Sequence, residues 1–210
     1  MAGNVVSTQL LQDGPRNVIV KFEGVLDTSD ISATGTLGAA SSGATTLGST
    51  TISFTAGGLL PVIGQYVTGT GIPAGAYIIS FTTTTAVISA AATATGSSLT
   101  FTLTAGQIVV VDPAMLSQID AWQNRNAAKL AIKKITYNVE DTLSVNLFWD
   151  ATTPVRIEEI VGRGKMDFIR SQPLQNNGGA GVTGKITATT QGWAASAIVS
   201  FSLILELIKQ

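Results

Sequence analysis

The chain contains no cysteine and no histidine. The first absence removes disulfides, thiolate zinc sites and thiol chemistry. The second removes the commonest metal ligand and the usual general base near neutral pH. Charge is scarce too. Twelve Lys and Arg face 13 Asp and Glu for a net charge of −1, and charged residues are 12% of the 210 positions, about half the share in an ordinary soluble domain. Such a balance gives no electrostatic drive toward nucleic acid or an anionic membrane, both of which need a clustered positive excess. No run approaches the roughly 20 apolar residues of a spanning helix; the most apolar stretch, Ala194 to Ile208, is broken by Ser196, Ser200, Ser202 and Glu206. Met1-Ala2-Gly3-Asn4 lacks the basic and apolar segments of a secretory signal. The expectation is a protein made in a cytoplasm, without enzymatic activity, cofactor, metal, nucleic-acid partner or membrane partner.

What is present is unevenly placed. After Asp30 the next charged residue is Asp112, so Ile31 to Val111 form 81 consecutive uncharged residues, rich in Thr, Ala, Ser and Gly. That composition suits either a flexible linker or a small β module, and periodicity favours the module. Thr51-Ile52-Ser53-Phe54-Thr55 puts Ile52 and Phe54 on one face, Ala76 to Phe81 is rich in β-formers, and Leu99 to Thr104 alternates throughout. Between them Gly57-Gly58, Gly64, Thr70-Gly71, Pro73-Ala74-Gly75 and Gly96 are spaced as turns.

The flanks read as one domain interrupted by that module. Val18, Val20 and Phe22 alternate with Lys21 and Glu23 on the opposite parity; Leu143, Val145, Leu147 and Trp149 alternate likewise. Val199, Phe201, Leu203, Leu205 and Leu207 give five successive inward positions, the mark of a central strand. Apolar parity switches between Leu130 and Ile132 on one side and Ile135, Tyr137 and Val139 on the other, which predicts either a β-bulge or a strand crossing between sheets at Lys133-Lys134. Strands are expected at Val155 to Val161 and Val182 to Thr189, the latter after the loop Asn176 to Gly181. Asp112-Pro113 has the form of a helix start, and Met115, Ile119 and Trp122 share a helical face, predicting one short helix of two or three turns. The expected fold is all-β: a jelly-roll-like β-sandwich from residues 1–30 and 107–210, with a small β-sandwich or barrel inserted as residues 31–106.

Candidate chemistry is thin. Glu140-Asp141 and Glu158-Glu159 are adjacent acids, whereas glycoside hydrolysis needs carboxylates converging across a cleft about 5–10 Å wide. Gly162-Arg163-Gly164 and Gly178-Gly179-Ala180-Gly181 lack the context of a phosphate loop and read as turns. Lys129, Lys133 and Lys134 form a weak basic cluster without interleaved aromatics. Trp122, Trp149 and Trp193, with Arg156 and Arg163, are instead the candidate interface residues, the tryptophans also being ordinary core material.

Two stretches carry a resemblance. Gly64-Gln65-Tyr66-Val67-Thr68-Gly69-Thr70-Gly71-Ile72-Pro73-Ala74-Gly75-Ala76-Tyr77-Ile78, followed by the Ala- and Thr-rich Ala90 to Leu103, resembles a β module recurring in virion proteins of tailed bacteriophages, tail fibres included. Leu130 to Arg163, with Tyr137-Asn138-Val139-Glu140-Asp141, Val145 to Asp150 and Gly162-Arg163-Gly164, is similar to small phage virion proteins of β-sandwich type. The resemblance implies a particle component with an outward-facing inserted module, partnered by a major capsid protein or other virion proteins and by copies of itself, and it transfers no catalytic residue. The leading expectation is a capsid decoration or cement protein located in the virion. Alternatives are a neck or tail component, or a fibre-type protein that binds a host-surface glycan through Tyr66, Tyr77 and Phe81.

Overall fold

A computed structural model describes residues 4–27, 31, 35–38, 43–55, 58–104, 106–119, 125–168, 172–192 and 198–210. Its regular structure is all-β, with seventeen strands among the described residues. The chain divides into two compact units, Ser29–Val109, and Ala2–Thr28 with Val110–Gln210.

The second unit opens with the hairpin of β1 (Val5–Asp13) and β2 (Asn17–Leu26), closed by a hydrogen bond of 2.9 Å from the Gly14 N–H to the Asn17 carbonyl. Val18, Val20, Phe22 and Leu26 are buried on one face of β2, as alternation requires of a strand with one solvated face.

The uncharged stretch follows. It forms β3 (Gly35–Leu37), β4 (Gly43–Thr45), β5 (Thr51–Ser53), β6 (Val67–Gly69), β7 (Ile78–Phe81), β8 (Thr85–Ile88), β9 (Gly96–Leu99) and β10 (Phe101–Leu103). These make two sheets, in the orders β3-β10-β6 and β7-β8-β5-β4-β9, around a core of Leu37, Ile52, Phe54, Val67, Ile78, Ile88, Phe101 and Leu103. Gly71 and Gly75 both have positive φ, +79° and +75°, and the bonds Ile72 N–H to Gly69 O and Ala76 N–H to Pro73 O tie this segment into two tight turns. Leu99 to Thr104 is not the single strand its alternation predicts. Ser98 takes a left-handed φ of 59° and Thr100 lies in neither strand, so Leu99 ends β9 in one sheet while Phe101 opens β10 in the other.

The remaining strands are β11 (Ile108–Val111), β12 (Leu130–Val139), β13 (Ser144–Trp149), β14 (Val155–Ile160), β15 (Arg163–Asp167), β16 (Ile186–Gln191) and β17 (Val199–Lys209). They complete a five-stranded sheet, β1-β2-β17-β12-β15, and a four-stranded sheet, β11-β16-β13-β14. With β1 set aside as an added edge, eight strands pair from the outside of the sequence inward: β2 with β17, β11 with β16, β12 with β15 and β13 with β14. That nesting is the jelly roll, a long hairpin rolled into two sheets. The uncharged unit is inserted between its first and second strands, β2 and β11. β17 is the middle strand of five, and its inward Val199, Phe201, Leu203, Leu205 and Leu207 are all buried. The register of β12 on β17 slips between Ile132 and Lys134, so the expected bulge falls at Lys133 and lets Ile132 and Ile135 both face inward.

Three further expectations are corrected. The helix is a single 3-10 turn, Pro113–Met115. Asp112 does cap it, its carboxylate accepting from the Ala114 N–H at 2.9 Å, but Leu116 is already extended and Met115 is exposed. The backbone N–H and hydroxyl of Ser117 are drawn to Asp13 of β1, a tertiary pull that outweighs the local helical pattern; Trp122, the third residue of the expected face, lies outside the described residues. Gly162-Arg163-Gly164 is a turn only at Gly162 (φ +64°), because Arg163 and Gly164 begin β15. The strand expected from Val182 starts at Ile186, since Thr183 and Gly184 complete the preceding turn.

Candidate functional site

Because β2 and β17 bury alternate residues, their other residues form the outer face of the five-stranded sheet. Cross-strand registers run Val5, Val25 and Ser200, then Ser7, Glu23, Ser202 and Asn138, then Lys21, Ile204 and Thr136, then Ile19, Glu206 and Lys134. Two ion pairs on this face form within the chain. Lys21 Nζ lies 2.5 Å from Glu23 Oε2, and Lys134 Nζ lies 2.9 Å from Glu206 Oε1. The hydrogen bond and charge of Glu206 raise the Lys134 pKa above its ordinary value. Such half-exposed pairs add little stability, but each cancels its own charge, and the other charges of the face, Arg163, Lys165 and Asp167, lie at its β15 edge.

At one end of the face the side chains shorten. Ser200 and Ser202 stand beside the exposed pair Val5 and Val25, and the step leaves a shallow cleft of about 380 Å³ whose walls include Ser7, Glu23 and Asn138. Next to it lies a recess of about 80 Å³ holding Glu140, Asp141 and Arg163. Glu140 there accepts from the Ser200 hydroxyl at 3.2 Å. The two acids are side by side on a turn, with Arg163 lining the same recess, and do not face one another across a substrate-sized gap.

The structure scatters the residues singled out from sequence. Arg163, opposite Asn138 in register, sits at the rim of the outer face. Arg156 is on β14, the edge of the other sheet, exposed and 3.3 Å from Glu159. Trp149 is only 2% exposed, between Ile186 and Val155 in the ladder, so it belongs to the core and offers no surface to a partner. Trp122 and Trp193 lie outside the described residues. In the uncharged unit Tyr66 and Tyr77 pack edge to face with ring centres 6.3 Å apart. Tyr77 is buried and Phe81 half exposed, so the three aromatics do not form an open stacking platform. Among the described residues, no three Asp or Glu side chains converge in a group able to hold a metal ion.

Sequence reasoning missed the most buried charge. The Lys209 side chain has no exposed surface, and its ammonium reaches Asp13 Oδ1 at 2.5 Å, the Ser117 carbonyl at 2.6 Å and the Ser117 Oγ at 2.8 Å. Three partners match the three donors of an ammonium group. Asp13 also accepts from the Ser117 N–H at 2.6 Å and the Ser117 hydroxyl at 2.9 Å. Burial pushes the Asp13 carboxyl upward, but Lys209 and the two Ser117 donors outweigh it and hold the pKa below the ordinary value. The available signal was parity: Lys209 continues the inward series of Leu203, Leu205 and Leu207. This cluster ties β1, β17 and the segment after the 3-10 turn together.

No family model matches the sequence, and no curated protein matches it. Among solved structures the chain is similar to a chain from the work titled "Life in the extremes: atomic structure of Sulfolobus Turreted Icosahedral Virus", at 13% identity and a TM-score of 0.27, over all of this chain and 57% of that one. A likeness that loose carries no weight for fold or function.

Proposed function

We propose that this chain is a non-enzymatic structural component of a virus particle, and specifically a capsid decoration or cement protein of a tailed phage. The observation that carries the reading is the nested strand order β2·β17, β11·β16, β12·β15, β13·β14 with an uncharged unit let into its first connection. Jelly rolls serve as viral capsid and lectin domains among others. That is a fold-level analogy, and two features of this chain narrow it. Two ion pairs cancel the charge along the middle of the outer sheet face, leaving Arg163, Lys165 and Asp167 at its β15 edge, and the inserted unit presents hydroxyls without net charge. Neighbouring copies on a crowded particle therefore do not repel one another. The lectin alternative is less well supported, because Tyr66 and Tyr77 are spent on each other. The partner of the jelly-roll unit would be the major capsid protein.

A neutral contact surface has a measurable signature. Salt screens exposed charge pairs with a Debye length of about 3 Å at 1 M, whereas apolar and hydrogen-bonded contacts survive it. The chain is expected to co-sediment with purified particles as strongly at 1 M NaCl as at low salt. Release by moderate salt would contradict docking through a neutral face, and absence from particles would remove the virion reading altogether.

A further inference from the structure

Two steps along the chain pair a short carbonyl-bearing side chain with a following glycine, so that the backbone nitrogen can close on the side chain: Asp13-Gly14 and Asn177-Gly178. Glycine lacks the Cβ that shields a peptide nitrogen and leaves the backbone free to turn. The structure treats the two steps in opposite ways. The Asp13 carboxylate accepts from the Lys209 ammonium, the Ser117 N–H and the Ser117 hydroxyl, and the Gly14 N–H donates to the Asn17 carbonyl at 2.9 Å. Both reacting groups are occupied there. Asn177, by contrast, is exposed on the segment between β15 and β16. That segment is pinned on either side, by the paired bonds of Leu174 with Ile132 and by the Thr152 N–H on the Ala180 carbonyl at 3.1 Å. Between the pins the Gly178 N–H donates to Oδ1 of the buried Asn176 at 2.9 Å, an Asx turn. The same amide buries its Nδ2 without a partner, which offsets part of what the bond contributes. A carbon added at Gly178 would come within 2.9 Å of Val182 Cγ2 and 3.0 Å of Asn176 Oδ1, so the turn favours glycine and the reactive step comes with it.

We propose that Asn177-Gly178 is a site of spontaneous covalent modification in the folded chain, with Asn176 as the residue that sets its rate. The Gly178 nitrogen gives up its proton to hydroxide, and its electron pair attacks Cγ of Asn177, forming a carbon–nitrogen bond and a five-membered succinimide. The Cγ–Nδ2 bond breaks, and the amide nitrogen leaves as ammonia after taking a proton from water, which returns the hydroxide. Water then opens the ring at either carbonyl, giving aspartate or isoaspartate. Nothing is oxidised or reduced, and water is the one co-reactant. An N–H held by Asn176 Oδ1 gives up its proton less readily, which makes Asn176 a positioning residue. Each event adds one negative charge to a chain of net charge −1, and the isoaspartate form adds a backbone carbon inside the Asx turn. The inference goes beyond the particle reading and stands or falls without it.

The test incubates the whole chain at mildly alkaline pH and follows every asparagine by peptide mass spectrometry, with isoaspartate methyltransferase labelling as the second readout. Asn177 is expected to convert at least about tenfold faster than Asn126, which is also exposed but precedes an alanine with its Cβ. Isoaspartate should be absent at Asp13 in the folded chain and appear there in denaturant. Asn176→Ala should speed conversion at Asn177 by about two- to tenfold, the factor that one net hydrogen bond is worth. Asn176→Ser, whose hydroxyl forms the same turn more weakly, should fall between Asn176→Ala and the wild type. The wild type in denaturant, having lost the turn, should convert at least as fast as Asn176→Ala. Conversion at Asn177 no faster than at Asn126, or as much isoaspartate at Asp13 as at Asn177 in the folded chain, overturns the site. Equal rates in the wild type, Asn176→Ala and Asn176→Ser overturn the role given to Asn176.

Discussion

Phe101→Ala is expected to destabilise the uncharged unit by about 3–5 kcal/mol, the range for truncating a buried aromatic ring. The site has little means of collapsing around the loss. Phe101 is fully buried in the middle strand of β3-β10-β6, and its ring fills the space above two glycines. A carbon added at Gly43 or Gly69 would come within 2.6 Å and 2.7 Å of ring atoms, so the backbones already approach as closely as the ring allows. A unit of this size commands only about 4–12 kcal/mol in total at 0.05–0.15 kcal/mol per residue. The loss is therefore a large share of its stability. Amide exchange at Ile52 and Leu103 should accelerate about a hundredfold or more, at tenfold per 1.4 kcal/mol. Exchange at Val20 and Leu205, in the other unit, should not change. Unaltered exchange at Ile52 and Leu103 would mean that this hydroxyl-rich stretch does not depend on an aromatic core.

Lys209→Met has the second large effect. Removing one partner of a buried ion pair costs about 3–5 kcal/mol because the other charge is left uncompensated. Asp13 keeps its Ser117 donors and some contact with water, which places the expected loss near 3 kcal/mol. Adding Asp13→Asn to Lys209→Met should recover much of it, since the stranded charge is then gone. Acid dependence separates this account from simple loss of packing. The folded Asp13 pKa lies below its unfolded value near 3.9, so the group contributes stability that is fully present above that value. The contribution is lost as pH falls through the folded pKa. Chemical denaturation between neutral pH and about pH 2 should show a weaker fall below pH 4 for Lys209→Met than for the wild type. An equally steep fall in both would show that Lys209 is not what holds the Asp13 carboxylate ionised.

Strands with one buried face were readable from sequence. The inward series of β17 marked a central strand, and the parity switch marked an irregularity at Lys133-Lys134 that the register resolves as a bulge, because register and burial both follow a period of two. Edge strands were not readable. β1 is exposed along most of its length, so Val5 to Asp13 carries no alternation to detect. β15 wears its charges on an edge, and its first two residues, Arg163 and Gly164, passed for part of a turn. The segment after Asp112 misled in the other direction: a sound cap and a helical spacing were overruled by Ser117 bonding to a strand more than a hundred residues away. Local pattern cannot register a contact of that separation. The same holds for the candidate surface. Arg163 was found, but Val5, Ser7 and Val25, which wall the cleft, stood out only once the strands were in register, and Trp149 proved to be core because its strand is covered on the tryptophan face.

Function through assembly, and not through turnover, is the central claim, and a reconstruction of the whole particle tests it most directly. The account requires density for this chain in symmetry-related copies, with the outer sheet face or the inserted unit covered by neighbouring protein. Particles that lack the chain, or that hold it with both surfaces bare to solvent, would contradict it.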